Sequence, residues 1–218
     1  MGLSRDKVVV GLLAGGRSRR FGRDKLALQV HGLPLLHHLV FRVQRAGFRV
    51  VILGQPVGVE PPAGVPTLPD RLPGHGPLGG LHTLLSMLAP DQRGFLLPAD
   101  LPFFDPALIE AMRSHLHASD SALLLLDTHG PQPACGFYAP TCLPILEDCL
   151  NRNDNIIWAL LNRVPYRLLP VSELLPNADP HLLFNLNRPE DEALFWRLVD
   201  DREPLFRYTP AKRTHTTG

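Results

Sequence analysis

The sequence predicts an α/β fold, a doubly wound and mostly parallel sheet with helices on both faces, and three observations carry that expectation. Residues 8–13 (VVVGLL), 48–53 and 94–98 are short, nearly unbroken apolar runs, the pattern of strands buried on both faces. Between such runs, apolar residues return at helical spacing, so strands and helices alternate along the chain. Glycines, cations and carboxylates collect just after the strands. In a parallel sheet those carboxyl ends share one edge, and ligands bind there.

The first strand, 8–13, stops at Ala14, Gly15 and Gly16 and runs into a loop carrying Arg17, Ser18, Arg19, Arg20, Gly22, Arg23 and Lys25. Glycine lets backbone N–H groups approach a ligand without an intervening Cβ, and clustered cations neutralise phosphate oxygens. The loop reads as an anion-binding site at the end of a buried strand. Residues 26–30 are short and apolar, and His31-Gly32 marks a turn. Leu35, Leu36, Leu39, Val40 and Val43 define a helix over 34–47, with Pro34 in its first turn and Gly47 as its stop. A strand over 48–53 completes a β–α–β unit with a right-handed crossover. The Pro- and Gly-rich segment 55–76 holds a short strand at 65–68 that ends at Pro69, Asp70 and Arg71. A helix over 77–88 is entered through Gly76-Pro77-Leu78-Gly79-Gly80, and the strand 94–98 leads to Asp100. A helix over 106–116, strands over 121–126 and 132–138, helices over 140–150 and 156–161 and a short strand at 166–169 follow. The last long helix, 189–198, is preceded by Asn185 and Asn187. The chain reads as one domain over 1–201 and a loosely ordered tail over 202–218, where periodicity is lost.

The 218 residues carry a formal net charge of +1, so no global field argues for nucleic acid or a membrane surface as partner. No apolar run reaches the roughly 18 residues of a membrane span, and residues 1–7 lead into a strand rather than a signal-peptide core. A cytoplasmic protein is expected. Cys135, Cys142 and Cys149 are odd in number and lack metal-site spacing; Cys142 and Cys149 share one helix face as core residues. The histidines form no metal or nucleophile constellation, and no nucleophile elbow is present. Of 22 basic residues only Lys7, Lys25 and Lys212 are lysine, which singles out Lys25 in an otherwise Arg-rich loop.

Two phosphate fingerprints are excluded. Residues 11–18 nearly match a P-loop, but Arg17 holds the lysine position and the first glycine lies within the strand. The spacing GxGxxG occurs at 74–79, after a Pro-rich stretch instead of a strand, and is no dinucleotide signature. Asp100, bracketed by Pro98 and Pro102, is a carboxylate suited to a hard cation such as Mg2+, whereas Asp105 is better placed to cap the following helix. Asp70 reads equally as a turn former and as a ligand group. Asn187 reads first as the N-cap of the last helix, with Glu190 completing a capping pair, and a ligand role can coexist with that.

Residues 13–25, LAGGRSRRFGRDK, closely resemble the signature LAGGxSxRMGxDK of the MobA-like nucleotidyltransferases, and within them that of the molybdenum cofactor guanylyltransferases. The likeness continues through Asp70, Gly76 to Gly80 in the run GPLGG, Ala99-Asp100-Leu101-Pro102-Phe103 and NLNRPED at 185–191, and so spans about residues 8–198. It implies a Rossmann-like nucleotidyltransferase fold and transfer of GMP from GTP to molybdopterin, with release of pyrophosphate. By matching position, Leu13, Ala14, Gly15, Gly16 and Ser18 would bind the guanine nucleotide together with Asp70, and Arg20 and Lys25 would take its phosphates. Asp100 would bind Mg2+ with Asn187, and Asn185 would lie towards the pterin. Arg20, Lys25 and Asp100 are then the expected catalytic residues. GTP and molybdopterin are the expected partners, with passing contact to proteins that deliver or accept the pterin. The acceptor's terminal phosphate attacks the α-phosphorus, so positioning and charge neutralisation carry the catalysis.

The sequence departs from the family pattern at Phe21, where methionine is usual, at Arg188, where threonine is usual, and at Leu53-Gly54-Gln55, which lacks the usual asparagine. Cytidylyltransferase relatives read AAGxSxRMGxxK, and Gly15-Gly16 with Asp24 favour the guanylyl branch. The alternatives are a related cytidylyltransferase, a sugar-phosphate nucleotidyltransferase, or a regulator that binds nucleotide without turnover.

Overall fold

The structure is a computed structural model that describes residues 3–15, 24–72 and 74–206. In chain order it contains β1 (Val8–Leu13), β2 (Gln29–Val30), β3 (Leu33–Pro34), α1 (Leu35–Arg45), β4 (Arg49–Leu53), β5 (Thr67–Leu68), α2 (Gly76–Leu85), β6 (Arg93–Pro98) and α3 (Ala107–Ser114). It continues with β7 (Ala122–Asp127), β8 (Gly130–Tyr138), α4 (Leu143–Asn151), α5 (Ile157–Leu161), β9 (Tyr166–Pro170), α6 (Val171–Leu174), α7 (Asp191–Asp201) and α8 (Glu203–Phe206). A seven-stranded sheet runs in the order β5-β4-β1-β6-β8-β7-β9, and β2 and β3 form a separate small hairpin.

The unbroken apolar runs form the centre of the sheet because both of its faces are covered. Val8, Val10 and Leu12 of β1 pack with Leu36, Leu39, Val40 and Val43 of α1 and Leu108, Ile109 and Met112 of α3. Val9 points the other way, into a cluster with Leu78, Leu81 and Leu84 of α2 and Leu146 and Cys149 of α4. Successive strand residues face opposite sides, so a strand between two helical layers must be apolar throughout. Gly11 is the exception in β1: a Cβ there would stand 2.6 Å from Leu53 Cδ1 and 3.0 Å from Leu84 Cδ2, so its absence lets α2 pack closely.

Strands β4 and β6 flank β1 in parallel register, and β5 pairs in parallel with β4. Strand β8 is antiparallel to both β6 and β7, while β9 is parallel to β7. The reversal follows from the link: only Thr128 and His129 separate β7 from β8, and a parallel crossover needs a dozen residues or more. The expected mostly parallel sheet with helices on both faces is therefore what forms. The carboxyl ends of β1, β4, β5, β6, β7 and β9 lie along one edge.

The first residues of the stretch expected to be a tail belong to the fold. Residues Glu203–Phe206 are helical, and Phe206 is buried, its ring 5.1 Å from that of His38 and 6.0 Å from that of Phe103. A four-residue helix held by one aromatic anchor is too short to show any period. Residues 207–218 lie outside the described residues. Among those described, no helix is long and apolar enough to cross a membrane.

Candidate active site

Where β1 leaves the sheet, both of its neighbours grip it. The N–H groups of Ala14 and Gly15 both donate to Leu53 O at 3.0 Å, and Ala99 N donates to Leu13 O at 3.2 Å. The anion-binding N–H groups assigned to the loop therefore do not include those of Ala14 and Gly15. Ala14 turns its methyl into the core. What Gly15 supplies is absence: it crosses Gly54 so closely that a Cβ on Gly54 would stand 2.5 Å from Gly15 Cα and 2.8 Å from Gly15 N. Gly54 also has φ +81, a conformation that L side chains rarely adopt. The crossing makes a shallow crevice without side chains.

Asp70 borders this crevice. Its carboxylate oxygens lie 3.4 Å from the place a Gly15 Cβ would take and 3.6 Å from that of Gly54. The segment is held by Gly54 N donating to Leu68 O at 2.8 Å and Arg71 N donating to Thr83 Oγ1 of α2 at 3.2 Å. Burial raises the Asp70 carboxyl above its ordinary value. Its neighbours thus place this carboxylate against the crevice. Gly79 and Gly80 explain the GPLGG run: a Cβ on Gly79 would stand 2.9 Å from Leu72 O, and one on Gly80 would strike Leu13.

On the other side of β1 is a second cluster. Lys25 opens a single 3₁₀ turn, Lys25–Ala27, capped by Asp24, whose Oδ1 accepts from Leu26 N at 2.9 Å. Its ammonium donates to Asp100 Oδ2 at 2.6 Å and to Asn187 Oδ1 at 2.7 Å. Asn187 is brought there by a backbone tether, Leu186 N donating to Asp100 O at 3.0 Å. Asp105 caps α3, its Oδ1 accepting from Ala107 N at 2.8 Å, which leaves the Asp100 carboxylate out of that task.

The N-cap expectation for Asn187 is corrected here. Asp191 Oδ2 accepts from Asn187 N at 2.9 Å and Arg188 N at 2.8 Å, so a residue inside the last helix satisfies these donors from within the first turn. The Asn187 side-chain oxygen accepts from Lys25 instead of from a helix N–H, and Glu190, at the N-cap position, makes no side-chain cap. Asn185 is exposed two residues earlier on the same segment. Gly16, Ser18 and Arg20, with the rest of residues 16–23, lie outside the described residues. Gly54 was not singled out from the sequence; its one local signal is a glycine directly after a buried strand.

Two features complete the edge. Asp100 Oδ1 is buried and has no hydrogen-bond partner among the described residues. A cavity of about 470 Å³ is lined by Leu126 and Asp127 at the end of β7, Pro170 at the end of β9 and Val171 after it, and Leu182 and Phe184 on the segment leading to Asn185. Among the described residues no three His, Cys, Asp or Glu side chains group as metal ligands.

Comparison with known proteins gives a consistent result. The family profile described as "MobA-like NTP transferase domain" matches residues 10–168. A molybdenum cofactor guanylyltransferase of Vibrio atlanticus is 29% identical over 190 residues, covering 86% of this chain and 94% of that one. One from Rhizobium johnstonii is 27% identical over 207 residues, 89% and 95% of the two chains. The crystal structure of molybdopterin-guanine dinucleotide biosynthesis protein A from Archaeoglobus fulgidus superposes with a TM-score of 0.75 at 22% identity, covering 88% of this chain and 99% of that one. The fold is also that of 2-C-methyl-D-erythritol 4-phosphate cytidylyltransferase from Thermus thermophilus, with a TM-score of 0.58 at 16% identity over 92% and 100% of the chains. The fold alone does not choose the base.

Proposed function

The chain belongs to the MobA-like NTP transferase family and is a nucleotidyltransferase, and from that premise we propose that it transfers GMP from GTP to molybdopterin, forming the guanine dinucleotide form of the molybdenum cofactor and pyrophosphate. The observation that carries this reading is the meeting of Lys25, Asp100 and Asn187 at the carboxyl edge of the sheet, across β1 from the Gly15–Gly54 crevice and Asp70. A nucleotide laid over β1 has the crevice on one side and the lysine on the other.

The chemistry needs no protein nucleophile. An oxygen of the acceptor's terminal phosphate attacks the α-phosphorus, and the bond to the β-phosphate oxygen breaks, with pyrophosphate leaving. Lys25 neutralises phosphate charge, and Arg20 of the preceding loop is assigned the same task. Asp70 holds the nucleotide at the crevice. A divalent cation fits Asp100 and Asn187, because their oxygens already converge on one cation, the Lys25 ammonium, and Asp100 Oδ1 is buried with no partner among the described residues. When bound, Mg2+ supplies further neutralisation of phosphate charge. The cavity lined by Leu182 and Phe184, on the segment that leads to Asn185, offers room for a pterin on the acceptor side. Gly15-Gly16, Asp24 and relatives named guanylyltransferases favour GTP.

The test is incubation of the protein with molybdopterin, Mg2+ and each nucleoside triphosphate in turn. GTP consumption with matching pyrophosphate release is expected. Consumption of CTP but not GTP would move the enzyme to the cytidylyl branch. Turnover with a sugar phosphate in place of molybdopterin would overturn the acceptor.

A further inference from the structure

The Lys25 ammonium stands where two metal-type oxygens converge, and this has a consequence for the order in which ligands enter. The fixed members of the cluster are Asp100 and Asn187: the Leu186 N to Asp100 O bond ties their segments together, and Asp191 holds the Asn187 and Arg188 amides. Lys25 reaches them on a flexible four-carbon stem, with its side chain 14% exposed and that of Asp100 19% exposed. At 2.6 and 2.7 Å from the two oxygens, its nitrogen fills the space between them, so a metal ion and this ammonium cannot take the seat together.

We propose that Lys25 keeps the divalent-cation seat of Asp100 and Asn187 closed in the nucleotide-free enzyme and yields it only when nucleotide phosphates offer its ammonium another partner. The proposal rests on the nucleotidyl-transfer reading of this site. Without phosphates, a dication would have to displace a positive charge from the single carboxylate of the cluster and leave that charge nearby, unpaired and half-buried. With phosphates present, Lys25 gains new acceptors as the seat opens. Nucleotide and metal therefore promote each other's binding, and the enhancement is the same in both directions by linkage. Free metal does not occupy the site ahead of its nucleotide.

The test is Mn2+ binding to nucleotide-free protein, followed by the electron paramagnetic resonance signal of free Mn2+. Lys25→Met is expected to bind Mn2+ about tenfold more tightly than wild type, within the usual range of coupling between sites. Lys25→Arg, which keeps a cation, should show no such gain. The double variant Lys25→Met/Asp100→Asn should lose it, and Lys7→Met, which breaks a surface pair with Asp91, should leave Mn2+ affinity unchanged. Equal or weaker Mn2+ binding by Lys25→Met would overturn the proposal. A second measurement needs no variant: acetylation of Lys25 in the wild type, read by mass spectrometry. Mn2+ alone should leave its labelling rate unchanged, and nucleotide with Mn2+ should change it; a change with Mn2+ alone would overturn the proposal. Neither readout depends on which base is used. A failure of GTP turnover with these results intact would remove the base assignment and leave the lysine's role in place.

Discussion

Gly54→Ala separates two reasons for a glycine, and a second glycine provides the control. Gly54 has φ +81 and Gly64 has φ +78, so alanine meets nearly the same backbone strain at each, about 1–2 kcal/mol. The surroundings differ. Nothing lies within 4 Å of a Cβ at Gly64, whereas at Gly54 it would stand 2.5 Å from Gly15 Cα and 2.8 Å from Gly15 N. Those are backbone atoms, with no flexible side chain to yield. Gly15 can move only by loosening the bonds that Ala14 N and Gly15 N make to Leu53 O. Overpacking of this kind adds about 1–3 kcal/mol. Gly54→Ala should thus lose about 2–5 kcal/mol in all, against about 1–2 kcal/mol for Gly64→Ala. Urea unfolding of both variants at matched m-values measures the difference, and nucleotide affinity reads the crevice directly. Gly54→Ala should weaken nucleotide binding, and Gly64→Ala should not. Equal losses of stability in the two variants, or unchanged nucleotide affinity in Gly54→Ala, would refute the close crossing as a feature of the site.

Asp70→Asn should weaken nucleotide binding and change the pH dependence of stability. Burial raises the folded carboxyl above the ordinary value of 3.8, so the folded state holds that proton more tightly than the unfolded one. Stability from this group falls as pH rises from the ordinary value through the higher folded one, and stays reduced above it. The variant should exceed wild type in urea midpoint near neutrality, with the gap closing towards acid; a gap that widens on acidification would contradict the burial of Asp70. Phe206→Ala should cost about 3–5 kcal/mol in urea unfolding, the range for a buried phenylalanine, because the ring packs on His38 and Phe103 beneath the Arg42 guanidinium. A loss under about 1 kcal/mol would show that α8 does not belong to the core.

The fold was legible because the central strands are apolar on both faces and the helices show their period. Val8 to Leu13 must be covered on both sides, and Leu36, Leu39, Val40 and Val43 on one side with Leu78, Leu81 and Leu84 on the other provide the cover. Less legible were the short elements. Thr67–Leu68 pairs through only two positions, and α6 has four residues, so neither can display a period. The antiparallel β8 was present as an apolar segment, but its direction lies in the length of the link before it rather than in its composition.

For the site, residue chemistry pointed to Lys25, Asp70 and Asp100, because a lysine in an Arg-rich loop and carboxylates just past strands are local signals. Gly54 carried almost none, since what demands a glycine there is the backbone of Gly15, 39 residues earlier by sequence number. Asn187 shows why local pattern can mislead even when the residue type is right. An asparagine before a proline-started helix is a good cap by composition, and nothing nearby in sequence contradicts that. Its use is decided by where the helix starts, at Asp191, whose carboxylate accepts from Asn187 N and Arg188 N ahead of it, and by Leu186 N, which docks on Asp100 O across 86 positions of chain. Once those bonds form, the amide oxygen accepts from Lys25. A cap and a ligand share one side-chain chemistry, an oxygen offered to a donor, so which of them an asparagine becomes is settled by the partner that the fold delivers to it.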